Sequence, residues 1–418
     1  MTTTTANWSR SRLKRLARLE YGLGQPPRLS EAGVPILRAT NINRGKISPA
    51  GLIYAALSDL PLDRAPLLRT GEILVVRSGA YTGDSALVTD EWAGSAPGYD
   101  LRVTPRSVVP RYLAYCLLSS AVMQQMDIAK SRAAQPHLNA EELGEVIVDL
   151  PALSEQCHIA DFLDSETARI DALLDARKRQ LDRLKELWTS RLAAAVESMI
   201  STYGIIPLRR VVRSVEQGWS PQCEDALAGP DEWAVLKTSA VSSGVFRPRE
   251  HKKLPNDLQP DFRFRILDGD LLMTRGSGSV EHVGVPTVAA TEGRNLLLSD
   301  LLYRVRADRG WSHEFLALML RSRPVRGFMS LLLRGQSGQT IKLRSEDIKG
   351  IYVPSVPVEQ QVGLVADLSA EERSIEEARA AIEVSSALLA ERRQALITAA
   401  VTGQLGVTTA RPTQNRDL

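Results

Sequence analysis

Cysteine is scarce in this 418-residue chain, which has only Cys116, Cys157 and Cys223. An odd number with no CxxC spacing argues against a disulfide framework or a zinc site and fits a reducing compartment. His158 beside Cys157 is the one Cys/His neighbour pair, too little to make a metal site. No apolar run approaches the roughly 18 to 20 residues that a membrane span needs, and the opening MTTTTANWSRSRLKRLARLE lacks an apolar signal core. The expected location is therefore cytoplasmic. Catalytic signatures are missing as well: there is no GxxxxGK[ST] phosphate loop, no Asn/Asp-Pro-Pro-Tyr/Phe stretch and no HExxH pair. HEFLA at 313–317 is a fragment of the last, on an amphipathic helix. Without paired acids, a triad or a metal set at credible spacing, nothing supports an enzyme in its own right.

Two longer absences organise the chain. No Gly or Pro occurs between Pro151 and Gly204, or between Gly363 and Gly403. Long helices are expected there, over 154–203 and 357–403. In the second, Leu368, Ile375, Ile382, Leu389 and Leu396 recur every seventh residue; in the first a 4-3 rhythm gives Leu163, Ile170, Leu174, Leu181, Leu184, Trp188 and Ala195, broken by Arg177 and Arg191. Such seams want another helix. At about 1.5 Å per residue each would extend roughly 60 to 70 Å. The alternative is that each helix packs only on its own globular region.

The regions between, 1–153 and 204–356, carry short apolar runs (Ile73 to Val76, Ala86 to Val88, Ile147 to Val148) among Gly, Pro and Asn turns, plus helical stretches at RYLAYCLLSSAVMQQM and HEFLALMLRSRPVRGFMSLLL. Both read as mixed α/β domains. The tail 404–418, ending TTARPTQNRDL, has no apolar pattern and is expected to be disordered.

The two halves repeat. Shifted by 205, Leu138 meets Leu343, Glu141 meets Glu346, Val148 meets Val353, Gln156 meets Gln361, Leu163 meets Leu368 and Ile170 meets Ile375, without a gap as far as AAV at 194–196 and 399–401. ILRATNINRGKI (36–47) likewise resembles VLKTSAVSSGVF (235–246), and GEILVVRSG (71–79) matches GDLLMTRGSG (269–278), putting Gly269 on Gly71 and Arg275 on Arg77. This is a duplication. The expected architecture is mixed α/β: two similar globular domains separated by two long antiparallel coiled-coil helices, related by an internal pseudo-twofold repeat.

Net charge is only +3, but it is segregated: residues 1–153 hold 17 Lys/Arg against 14 acids and 204–354 hold 22 against 17, whereas 154–203 (7 against 9) and 355–418 (6 against 9) are acidic. Blocks of this size fall within ordinary scatter and weigh little alone. Two similar basic domains held at a fixed spacing are nonetheless suited to two places on one polyanion, and duplex DNA is the obvious candidate.

Taken in order, these pieces resemble the specificity subunit of a type I restriction-modification system. The likeness covers nearly the whole chain: two target-recognition domains, each followed by a long helix introduced by a proline-containing strand end and a Glu-Gln pair. Here the introductions read VIVDLPALSEQCHIADFLD and IYVPSVPVEQQVGLVADLS, and RAAQPHLNAEEL resembles the segment before the last strand of a recognition domain. Two departures stand out. Pro357-Val358 replaces the commoner Pro-Pro-Leu, and Glu359-Gln360 falls one residue early in the repeat register. The resemblance implies a non-catalytic subunit. Each recognition domain would read one half of a bipartite target in double-stranded DNA, and the helices would set the gap and dock two methylation subunits. Restriction-translocation subunits would join that core, and S-adenosylmethionine, ATP and Mg would belong to those partners. No membrane is implied.

Candidate DNA-contacting residues follow from the matched loops. Arg77 and Arg275 would meet phosphate or guanine O6/N7, or else be structural within each domain. The tips diverge after the shared arginine, as two domains reading different half-sites require. Ser78, Tyr81 and Thr82, and Ser277, Ser279, Glu281 and His282, are candidates for base or backbone contacts. Asn41, Asn43, Arg44 and Lys46, with Lys237, Ser239 and Ser242 in the second copy, are short polar donors after a strand, equally typical of a solvated turn. Gln135 and His137 align with Gln336, Gln339 and Lys342; Gln suits adenine N6/N7, though Gln/Ser loops are often merely exposed. Two other readings remain: a coiled-coil scaffold that binds no DNA, and the DNA-reading subunit of a methyltransferase complex without a nuclease.

Overall fold

The computed structural model describes residues 8–130, 137–333 and 341–407. The chain divides into two compact units, Met1–Lys178 with Glu383–Leu418, and Arg179–Ile382. Each unit is built on a four-stranded antiparallel sheet with the same strand order. In the first the order is Ala17–Tyr21, Leu101–Pro105, Ile73–Val75, Ser85–Leu87. In the second it is Val212–Gln217, Leu302–Ala307, Leu271–Thr274, Pro286–Val288.

The central strand of each sheet is an unbroken apolar run because both of its faces are covered. Ile73 and Val75 join the core beneath the helices, while Leu74 and Val76 face a second core with Leu37, Ile42 and Trp92. Leu271 and Met273 divide from Leu272 in the same way. Period-two alternation thus separates two cores rather than core from solvent. Each run is entered through a glycine with left-handed backbone, Gly71 at φ +88° and Gly269 at φ +84°, a conformation that any L side chain would strain.

The helical stretches of the two domains each break into two: Pro110–Leu118 and Ser120–Lys130, then His313–Arg321 and Arg323–Leu332. Ser119 and Ser322 mark the breaks, each donating its hydroxyl to a carbonyl three residues back, Cys116 at 2.7 Å and Met319 at 2.6 Å.

The long helices run Leu153–Tyr203 and Val358–Val401. In the first unit Ile159, Ala160 and Leu163 share a core with Ile397, Ala400 and Val401 and with the domain residues Tyr112, Leu117 and Leu143. Asp171 meets Arg393 at 3.1 Å in that unit, so the two segments run in opposite directions. In the second unit Leu192, Val196 and Met199 share a core with Leu368, Phe315 and Val353. There Arg191 forks onto Glu371 at 2.8 and 2.9 Å, and the Tyr203 hydroxyl donates to Gln360. Arg191, a break in the heptad seam, therefore serves as an ion-pair partner at its edge. Leu163, Ile170 and Leu368 are buried, and Leu174, Leu181, Leu184, Trp188, Ala195, Ile375, Ile382, Leu389 and Leu396 are half-buried.

Both helices start on the same device. The side-chain amide of Gln156, fully buried, donates to Pro151 O and accepts from Val109 N, each at 2.9 Å. Gln361 does the same with Val356 O and Ser312 N, each at 3.0 Å. The repeat register therefore holds through the start of the second helix, with Gln361, not Gln360, as the structural counterpart of Gln156.

The expected disordered tail is corrected at its start. Gly403 turns left-handed at φ +70°, Leu405 N donates to Ala399 O at 3.0 Å, and Leu405 and Val407 pack on the first core. Residues 408–418 lie outside the described residues. No helix among the described residues is long and apolar enough to cross a membrane.

Candidate nucleic-acid interface

In each unit the strand that follows the Gly-acid pair leads to the shared arginine, and the chain turns back through a short loop. The first loop is closed by Gly83 N donating to Val76 O at 2.8 Å and Val76 N to Asp84 O at 2.8 Å; the second by Gly284 N to Thr274 O at 2.8 Å and Thr274 N to Val285 O at 3.0 Å. The acids of both motifs turn inward. Glu72 accepts from buried Arg102 at 2.6 Å and from Thr104 at 3.0 Å. Asp270 lies 3.5 Å from buried Arg304, which also holds Glu216 at 2.6 Å. Both arginines, with Glu72 and Asp270, are buried and bind the sheet to the loop before it, through Arg102 to Pro66 O and Arg304 to Arg265 O.

A clasp recurs at the arginine itself. Arg77 O accepts from Leu138 N at 2.8 Å, and Arg275 O accepts from Leu343 N at 2.8 Å. Beside it, Ser78 bridges His137, and Gly276–Ser277 pairs with Ile341–Lys342. The residue pairs Arg77/His137 and Arg275/Lys342, far apart in sequence, are thus brought together in each unit. Gln135, Gln336 and Gln339 lie outside the described residues.

Both arginine side chains are half-buried and turned onto partners within their own unit. The Arg77 guanidinium donates to His137 Nε2 at 2.7 Å and lies between the rings of Tyr21 and Tyr99, 4.7 and 4.4 Å from their centroids. Arg275 donates through Nε to the Tyr303 hydroxyl at 3.2 Å and through Nη1 to Asp300 O at 3.3 Å. Beneath Arg77, Asp100 is buried and accepts from Arg77 N at 3.2 Å. Burial pushes its carboxyl up from about 3.8 to about 6, against the opposing pull of that N–H, the Arg77 charge and the Ala39 N–H.

Of the remaining first-copy candidates, Asn41 is displaced from the expected surface set. It is fully buried, accepts from Arg38 N at 3.1 Å and donates to Ser48 O and Ala50 O at 3.0 Å, so its amide staples a turn. Thr82 is buried too, donating to Gly79 O at 2.6 Å. Asn43, Arg44 and Lys46 are exposed on a hairpin beside the loop, joined to it by Asp84, which accepts from Arg44 N at 3.0 Å. Lys46 Nζ reaches Asp171 at 2.9 Å, and Tyr81 stands out at the loop tip.

In the second copy Ser277 and Ser279 are half-buried, while Glu281, His282 and Lys342 are exposed. His282 Nδ1 lies 3.3 Å from Ser242 O, and Arg326 braces the loop through Val283 O at 2.7 Å and Glu281 O at 3.0 Å. Lys237 is 4.0 Å from Asp225, and Ser239 donates to Glu250 at 2.7 Å. Polar side chains at the tip are therefore available in both units, on loops whose bases are fixed alike.

The family model described as "Type I restriction modification DNA specificity domain" matches residues 27–183, from the first globular region into the first long helix. The type I restriction enzyme EcoKI specificity subunit of Escherichia coli (strain K12) is 24% identical over 353 residues, covering 81% of this chain and 75% of that one. Over most of its length the chain is thus similar to type I specificity subunits. The StySPI specificity subunit of Salmonella potsdam is 22% identical over 355 residues, with the same coverage of 81% and 75%. A solved chain described under complex assembly and conformational transition of the type I R-M system matches at a TM-score of 0.68 and 16% identity, covering 96% of this chain and 99% of that one. At that identity the likeness speaks for the fold. Sequence reasoning found the two shared arginines but missed Tyr21, Tyr99, Asp100 and Tyr303, which hold them.

Proposed function

We propose that this chain is a type I specificity subunit that binds double-stranded DNA as the non-catalytic reader of the complex, each unit contacting one half of a bipartite target. One observation carries the reading: both units build the same strand, clasp and inward acid, yet present different loop tips, Tyr81 with Arg44 in one and His282 with Glu281 in the other. Fixed bases with divergent tips suit two sites of different sequence. The long helices, as an antiparallel coiled coil with a pseudo-twofold relation, would set the gap between half-sites. Leu173, Leu187, Val362, Val384 and Leu388 leave apolar surface exposed on those helices, which supports docking of two methylation subunits there. Restriction-translocation subunits would complete the assembly, and S-adenosylmethionine, ATP and Mg would reside in the partners.

The test is methylome sequencing of the host with and without this chain, followed by binding of the full chain with its methylation partner to duplexes carrying the site found. Loss of one bipartite motif and affinity falling steeply with salt are expected, because counterions are released on binding. An unchanged methylome, with no salt-dependent DNA binding, would leave a protein scaffold.

A further inference from the structure

We infer that Arg77 and Arg275 are positioning residues for specificity, which lock the base of each reading loop and make no phosphate contact themselves. The inference rests on the DNA-reading role proposed above and assigns these two residues a different part in it.

Three observations converge. First, among the described residues no carboxylate forms a salt bridge with either guanidinium, yet neither is left to solvent: both are half-buried, Arg77 donating through Nη2 to His137 with its Nε buried and unpartnered, and Arg275 donating through Nε and Nη1 inside its unit. Second, the stack around Arg77 joins separate parts of the chain. Tyr21 ends the edge strand of the sheet, Tyr99 precedes its second strand, and the Tyr21 hydroxyl accepts from Ala140 N at 3.2 Å, at the start of the helix that follows His137. A guanidinium between two rings is a flat, oriented strut, which a more compact ammonium cannot reproduce.

Third, the second unit closes the same clasp with different side chains. Arg275 donates to the Tyr303 hydroxyl, that hydroxyl donates to Leu343 O at 3.1 Å, and Leu343 N returns to Arg275 O at 2.8 Å, completing a ring. An identical main-chain bond held by an imidazole and two tyrosines in one unit, and by one tyrosine in the other, makes the fixed loop base the common element. Ser78 and Tyr81, and Ser277 and His282, then emerge from a base that cannot shift. Small displacements there would cost discrimination between bases more than general attraction to the polyanion.

The two roles differ in what salt and lysine do. An arginine on a phosphate contributes about one unit to the slope of log affinity against log salt, and lysine replaces it adequately. A strut contributes nothing to the slope, and lysine fails. The experiment measures binding of the full chain, assembled with its methylation partner, to a duplex carrying the host-methylome motif and to a scrambled duplex of equal composition, between about 50 and 200 mM salt.

For Arg77→Ala, Arg77→Lys and the Arg275 pair, we expect an unchanged salt slope on the scrambled duplex and a loss of about tenfold or more in the preference for the motif, with Lys no better than Ala. Tyr99→Leu, which changes no charge at a half-exposed ring, should lower the preference in the same direction by a smaller factor and guards against a folding failure in the arginine variants. A slope reduced by about one, or rescue by lysine, would overturn the positioning role while leaving the DNA-reading role intact. Wild-type protein that shows no preference between the duplexes would overturn both.

Discussion

In the first unit Arg102 is held by Glu72 at 2.6 Å, whereas in the second its counterpart Arg304 lies 3.5 Å from the shorter Asp270 and takes Glu216 at 2.6 Å instead. The ladder offers both units the same option, since Glu20 stands opposite Arg102 just as Glu216 stands opposite Arg304. Glu20 turns to Arg18 at 2.6 Å because Glu72 already reaches the buried guanidinium. One methylene lost between Glu72 and Asp270 is thus compensated by an acid from another strand. What the duplication preserves is the buried cation and the carbonyls it binds, while the anion is negotiable.

The comparison breaks most sharply at those cations. Glu72 is 5% exposed, and Arg102→Ala would strand it, at an expected cost of about 3–5 kcal/mol. Glu216 is 34% exposed and keeps Arg306 at 2.9 Å, and buried Asp270 keeps the same arginine at 3.6 Å, so Arg304→Ala leaves neither acid without a cation and should cost less. Hydrogen exchange of amides in Ile73–Val75 and Leu271–Thr274 reads each unit separately, which a single melting temperature for a two-unit chain would not. Equal loss of protection in the two strands would show that sharing the anion has no energetic consequence.

Much of this organisation was legible in sequence, and the illegible part has a physical pattern. Missing Gly and Pro marked both long helices, and the 205-residue register predicted that Gln156 and Gln361 correspond, which their matched hydrogen bonds bear out. The Gly-acid-apolar-Arg motif located the two central strands. What periodicity does not encode is where a polar side chain points at a strand end. Asn41 reads like a surface donor but is consumed by a turn, and the two arginines read equally as DNA contacts or as structural residues because the rings that cover them come from segments distant in sequence. The inward direction of Glu72 and Asp270 was equally hidden, since a charged residue after a glycine turn suggests solvent until its buried partner is seen.

A second contrast concerns pH. The first unit buries Asp100 beneath its clasp; in the second, Leu302 occupies the corresponding position, two residues before Arg304 as Asp100 is before Arg102, and is buried with nothing to titrate. Because burial raises the Asp100 carboxyl from 3.8 to about 6, the folded state holds a proton that the unfolded chain gives up. Its contribution to stability is full below about pH 3.8 and is lost as pH rises through about 6. Asp100→Asn, which can still accept from Arg77 N, removes that dependence. The variant should gain melting temperature over the wild type progressively from about pH 4 to 6 and hold a constant advantage above. Variant and wild-type curves that stay parallel over that interval would mean that Asp100 is ionised throughout.

The smallest expected difference separates the ion pairs between the long helices. Arg191 and Glu371 fork neatly in the second unit, but their side chains are 51% and 40% exposed, so water and salt compete for both. Arg191→Ala should cost about 0–1 kcal/mol, and less as ionic strength rises. In the first unit Arg393 and Asp171 are 14% and 17% exposed, and Lys46 reaches the same carboxylate from the hairpin that carries Arg44. Salt penetrates that site poorly, and Arg393→Ala also leaves Asp171 dependent on a lysine that is itself 60% exposed. Its cost should therefore exceed that of Arg191→Ala and persist at high salt, read again by exchange within each unit. Should the two substitutions cost the same at about 0.5 M salt, burial would not be what distinguishes the helix contacts, and Lys46 would hold Asp171 unaided.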